Sequence, residues 1–76
     1  MGFMKEIDIE LQDMDVEVDF DNYDDIFDLI VDARLTNTFL SPLLLSYVVS
    51  RLDDDERLGK LYESVEFVEA LEWQYV

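Results

Sequence analysis

The sequence predicts an α+β fold: an N-terminal antiparallel β-hairpin, then about three α-helices, with a short C-terminal strand as a candidate addition to the sheet. Three observations predict it. Residues 7–20, IDIELQDMDVEVDF, alternate apolar and mostly acidic residues, the period of a strand with one buried face. Helix-start residues stand at Asp21 or Asn22, at Ser41-Pro42 and at Asp53, each before a helical apolar pattern. Leu71, Trp73 and Tyr75 alternate with Glu72 and Gln74 at the end.

In the first stretch Ile7, Ile9 and Leu11 hold odd positions, and Met14, Val16, Val18 and Phe20 even ones. The phase changes at Gln12-Asp13. A two-residue hairpin loop there sets Leu11 opposite Met14, Ile9 opposite Val16 and Ile7 opposite Val18, so the apolar side chains share one face. Gln-Asp is a poor type I′ turn, and a single bulged strand is the competing arrangement. The hairpin register also sets Glu10 against Asp15, Asp8 against Glu17 and Glu6 against Asp19, and like charges directly opposite destabilise a sheet. One lysine, Lys5, is near enough to offset them.

The next element is a helix capped by Asp21 or Asn22 and running to about Arg34. Tyr23, Ile26, Phe27, Ile30 and Ala33 fall on one side. Asp21, Asp24, Asp25, Asp28 and Asp32 fall on the other. Asp24 and Asp25 suit the positive helix N-terminus. Asp28 and Asp32 add like-charge i,i+4 repulsion, about 0.2–0.5 kcal/mol per pair. Residues 35–40 read as a connection. Ser41 as N-cap and Pro42 at the first helical position start a second helix over 42–52. It buries Leu44, Leu45, Val48, Val49 and Leu52 and shows a polar strip of Ser46 and Ser50. Leu43 and Tyr47 flank that strip.

Asp53-Asp54-Asp55-Glu56 could pass for a metal cluster. A capping box, with Asp53 as cap and Glu56 three residues on, explains it better. That third helix places Leu58, Leu61, Tyr62, Val65 and Val68 on one face, carries Gly59 at a cost of about 1 kcal/mol relative to Ala, turns Phe67 outward, and ends between Glu66 and Ala70. A helical tail through 71–76 is the alternative to the strand.

Seventy-six residues make one small domain. Its Met1–Phe3 reads as a disordered lead before a native start at Met4. Half the residues are apolar and none is Cys or His. Disulfides, thiolate metal sites and the usual nucleophile–base pairs are thus excluded. The glycines, Gly2 and Gly59, form no phosphate loop. No D-x-D-x-D-G calcium loop occurs. The expectation is a non-enzyme with no cofactor and no resident metal. Residues 35–50 are uncharged but too short and too polar to span a bilayer, and no secretory signal is visible, so the expected location is the cytoplasm.

The formal net charge is −15, and residues 5–32 hold twelve acids against one base. Such an excess disfavours direct contact with nucleic acid or anionic membranes and favours a basic protein, of the kind that binds nucleic acid. The candidate partner-binding residues are Asp8, Glu10, Asp15, Glu17, Asp24, Asp28 and Asp32. In charge and size the chain resembles the acidic DNA-mimic inhibitors that phages and mobile elements encode. No motif carries that likeness, so no residue role follows from it. The alternative is an assembly subunit that homo-oligomerises through apolar contacts, with Leu43, Tyr47, Trp73 and Tyr75 as candidates.

Overall fold

Helix caps and helix-ending turns, rather than strand pairing, punctuate this chain. A computed structural model describes the backbone of residues 2–75 and the side chains of residues 5–75. Of Met1–Phe3, read from the sequence as a disordered lead, Met1 lies outside the described residues, and the backbone of Gly2 and Phe3 is helical. The elements are α1 (Gly2–Asp13), α2 (Tyr23–Leu35), α3 (Pro42–Asp54), the single-turn α4 (Glu56–Gly59), a 3-10 turn (Lys60–Glu63) and α5 (Val65–Gln74). Among the described residues there is no strand. The fold is all-α, and the α+β expectation with its N-terminal hairpin is corrected.

The reason lies in Ile7, Leu11 and Met14. They are separated by four and three residues, so they fit a helical face as well as an alternating one. Ile7 and Leu11 are buried and Met14 is half-buried against the core, while Ile9, which a strand would have buried, is 49% exposed. The helix also avoids the weak Gln-Asp turn and the acid-against-acid pairs that a hairpin would stack. Asp15 ends α1 in the left-handed region, φ 58°. The Val16 N–H donates to the Leu11 carbonyl at 3.1 Å and the Asp15 N–H to the Gln12 carbonyl at 3.0 Å, the paired bonds of a Schellman ending. Asn37, φ 57°, closes α2 in the same way, with Thr38 N–H to Ala33 O at 2.7 Å.

Between α1 and α2 the alternation survives without a sheet. Val18 and Phe20 turn toward the core, and Glu17 and Asp19 face solvent. Phe20 packs edge-on against Tyr47, ring centroids 4.8 Å apart.

Asn22 caps α2 by accepting from the Asp24 and Asp25 N–H groups. Ser41 caps α3 by accepting from the Leu44 N–H, with Pro42 in the first turn. Leu44, Leu45, Val48 and Leu52 are buried, Val49 is half-buried, and Ser46 and Ser50 are exposed. The third expected helix is broken. Asp55, not Asp53, caps α4, and Ser64 caps α5. A Cβ on Gly59 would lie 3.2 Å from the Leu52 carbonyl oxygen. The missing side chain therefore lets α4 fold back closely on α3, which offsets its low helix propensity.

The C-terminal segment is helical through Gln74, which settles the strand-or-helix alternative. Phe67, expected to point outward, is fully buried. The helix starts anew at Val65, so its apolar face is Phe67, Ala70 and Leu71 rather than a continuation of Leu61 and Val65. Helices α2 and α5 form the most extensive pairing and run in the same direction. Phe27 stacks on Phe67 near their starts, 6.3 Å between centroids, and Gln74 in the last turn of α5 meets Thr38 and Leu40 just past α2. The intervening α3, α4 and 3-10 turn carry the chain back. The radius of gyration is 11.6 Å, close to the about 11.4 Å typical of a domain this size.

Candidate acidic groove

Some carboxylates hold the fold together and others make no such contact; Asp25 does the first and also lines a groove beside α2. Glu10 is half-buried and accepts from both the N–H of Ser41, at 3.0 Å, and its hydroxyl. It locks α1 onto the N-terminus of α3 while Ser41 caps that helix. Asp25 accepts from the Asp19 N–H at 2.9 Å. Asp21 pairs with Arg51, and Glu69 with Arg34 at 3.4 Å. Asp55 is a cap. Asp15 forms the turn that ends α1. These roles need an acid or a small polar residue for local reasons.

Asp8, Glu17, Asp28 and Asp32 are exposed and have no hydrogen-bonded or ion-paired side-chain partner among the described residues. The fold brings them to one region. An open groove of about 500 Å³ runs between residues 14–18 and α2. Residues 14–18 contribute Glu17, and α2 contributes Asp25, Asp28 and Asp32. Leu29, Ala33 and Leu40, all buried, lie at its base with the half-buried Met14 and Val18. A second depression, of about 530 Å³, shares Val16, Glu17, Val18 and Asp25 with the first and adds Asp8 and Asp19. No Lys or Arg lines either one.

The helix explains the row on α2. Positions 25, 28 and 32 are three and four residues apart, so they share a face with Leu29, Ala33 and Thr36. The expected candidates thus divide. Asp8, Glu17, Asp28 and Asp32 line the acidic depressions. Asp24 is exposed on α2 but lines neither. Glu10 and Asp15 are occupied in holding α1. Asp25 and Asp19 belong to the site although charge reasoning did not select them; the i+3 and i+7 spacing from Asp25 to Asp28 and Asp32 was the available signal. Other acids lie elsewhere, with Glu66, Glu69 and Glu72 exposed along α5.

The candidates for subunit contact do not converge as a set. Leu43 and Tyr47 are half-buried against the core. Trp73 stacks on Phe39, 4.5 Å between centroids and 11° between planes. Tyr75 is 63% exposed and lies beside Ser46, Ser50 and Asp53 along α3. Neighbouring Tyr62 ionises above the usual tyrosine range, first because burial disfavours the phenolate, then because Asp53 and Tyr75 lie near.

Among the described residues no group of three or more acids is arranged to hold a metal ion, and no helix is long and apolar enough to cross a membrane. No family model matches the chain, and neither a curated protein nor a solved structure matches it.

Proposed function

We propose that this chain is a small, acidic, non-enzymatic binding protein that regulates or blocks a basic partner, of the nucleic-acid-binding kind. The observation that carries the reading is the groove beside α2, where Glu17, Asp28 and Asp32 line one opening with no cation among them. Unpaired carboxylates of this kind repel one another and are relieved by an incoming positive surface. Electrostatic steering then speeds association, and salt weakens it. Along α2 the charges come every three or four residues, about 4.5–6 Å at 1.5 Å rise. A single DNA strand carries one per about 3.4 Å. The helix row alone is thus sparser than a phosphate chain, and Glu17 in the same groove, with Asp8 in the adjoining depression, raises the local density. Any likeness to nucleic acid is one of sign and crowding, not of lattice. A cytoplasmic location is part of this reading.

Affinity capture at low and high salt tests it, with the wild-type chain beside a variant carrying Asp8→Asn, Glu17→Gln, Asp28→Asn and Asp32→Asn. The expected result is a basic protein held at low salt, released by salt and missing from the variant's catch. Equal capture by the variant would overturn the reading.

A second reading, a homo-oligomeric assembly subunit, draws on a different observation. Leu35 is 75% and Phe39 61% exposed, with Trp73 stacked on Phe39. Sedimentation over a concentration series tests it; a monomer at the highest concentration removes it.

A further inference from the structure

The groove has two features that its charge does not account for. Its lining includes partly exposed apolar side chains, Met14, Val16 and Val18, and its carboxylates come from two segments, residues 14–18 and α2. A flat, hydrated cationic surface would meet the carboxylates and leave the apolar side chains still open to solvent there, Val16 and the half-buried Met14 and Val18, uncovered. Resting on the reading above as a binder of basic protein, we propose that the groove's occupant is one short amphipathic helix of the partner, its apolar stripe flanked on both edges by Lys or Arg. The apolar stripe covers Met14, Val16 and Val18. The flanking cations meet Glu17 from residues 14–18 and Asp25, Asp28 and Asp32 from α2.

Spacing selects a helix over an extended peptide. Asp25 and Asp32 are seven residues apart on α2, about 10.5 Å along the axis, with Asp28 between them. A partner helix lying along α2 has the same rise. Cations at i, i+3 or i+4, and i+7 therefore meet the three carboxylates in step. On an extended chain, same-face residues recur about every 6.8 Å, so the third falls about 13.6 Å from the first and overshoots by about 3 Å. Apolar residues at helical spacing set into a groove are a recurrent mode of peptide recognition. A groove of about 500 Å³ accepts a few side chains, which fits two or three turns of helix.

Two synthetic peptides of identical Leu, Lys and Ala content test this by titration calorimetry. One spaces its leucines as a single helical stripe with lysines on both edges; the other is scrambled so that no stripe forms. The striped peptide is expected to bind about tenfold or more tighter, since seating even one leucine on an apolar base is worth about that factor. It should gain helical circular dichroism on binding. Val16 lies on the groove at 39% exposure, so Val16→Arg should leave the fold intact and abolish the preference. Asp28→Asn with Asp32→Asn should weaken both peptides. If both peptides bind equally and only salt matters, the helix inference fails while the acidic-surface reading stands. If neither binds, both fail. A striped-peptide preference that survives Val16→Arg, in a variant whose melt is unchanged, would place the occupant elsewhere and overturn the assignment.

Discussion

Gln74 is the side chain whose removal should be felt most for its size. It is buried in the last turn of α5. Its Oε1 accepts from the Leu40 N–H and its Nε2 donates to the Thr38 carbonyl, both at 2.9 Å. One amide thus satisfies a backbone donor and a backbone acceptor of the α2–α3 connection and ties it to α5. Gln74→Ala leaves the Leu40 N–H unpaired where Leu40 itself is buried, at a cost of about 1–3 kcal/mol. The Thr38 carbonyl is nearer to water and costs less. Loss of one methylene adds about 0.8 kcal/mol. The sum is about 2–4 kcal/mol, against a total stability of about 4–11 kcal/mol for a chain of this length. Urea denaturation followed by Trp73 fluorescence reads it directly. With a slope of about 1 kcal/mol/M, the midpoint should fall by roughly 2 M or more. Gln74→Glu keeps the acceptor for Leu40 but turns a second oxygen toward Thr38. It should be destabilised at neutral pH and partly recover in acid, where the protonated carboxyl can donate again. A Gln74→Ala midpoint within about 0.5 M of wild type would show that the amide contributes little.

Other substitutions separate structural acids from groove acids. Glu10→Ala removes both bonds to Ser41 and should cost about 1.5–3 kcal/mol, whereas Asp8→Asn should leave the urea-derived stability within about 0.5 kcal/mol of wild type. Asp15→Gly relieves a left-handed residue and should raise stability by up to about 1 kcal/mol, seen as a higher melting temperature. Tyr62 keeps its proton to higher pH in the fold than in the unfolded chain. Its contribution to stability is therefore present below the ordinary tyrosine pKa of about 10 and lost as pH rises through the raised value. Ultraviolet titration should show a late-ionising tyrosine that Tyr62→Phe deletes; an unchanged curve would contradict it.

Helices with unambiguous signals were legible in the sequence. Asn22 and Ser41-Pro42 mark the starts of α2 and α3, and the buried faces of both follow the 3.6-residue period. Residues 7–13 were not legible as helix because Ile7, Leu11 and Met14 satisfy two periods at once. What decides between the periods is the cost of pairing acid against acid and the contact of Glu10 with Ser41, 31 residues away. Ser64 is the cap that restarts the helix and turns Phe67 inward; it lay hidden inside a continuous apolar pattern. For the site, the aspartate row on α2 was visible from spacing. The contribution of Glu17 was not, because it reaches the groove through the irregular path of residues 14–18.

Binding of a basic protein segment in the acid-lined groove beside α2 is tested most directly by amide chemical-shift mapping, with the lysine–leucine helical peptide titrated into labelled protein. Shifts concentrated at Val16–Val18, at Asp25, Asp28 and Asp32, and at Thr36–Leu40 are expected. Shifts concentrated along Glu66, Glu69 and Glu72 of α5, or spread evenly over every exposed acid, would contradict binding there.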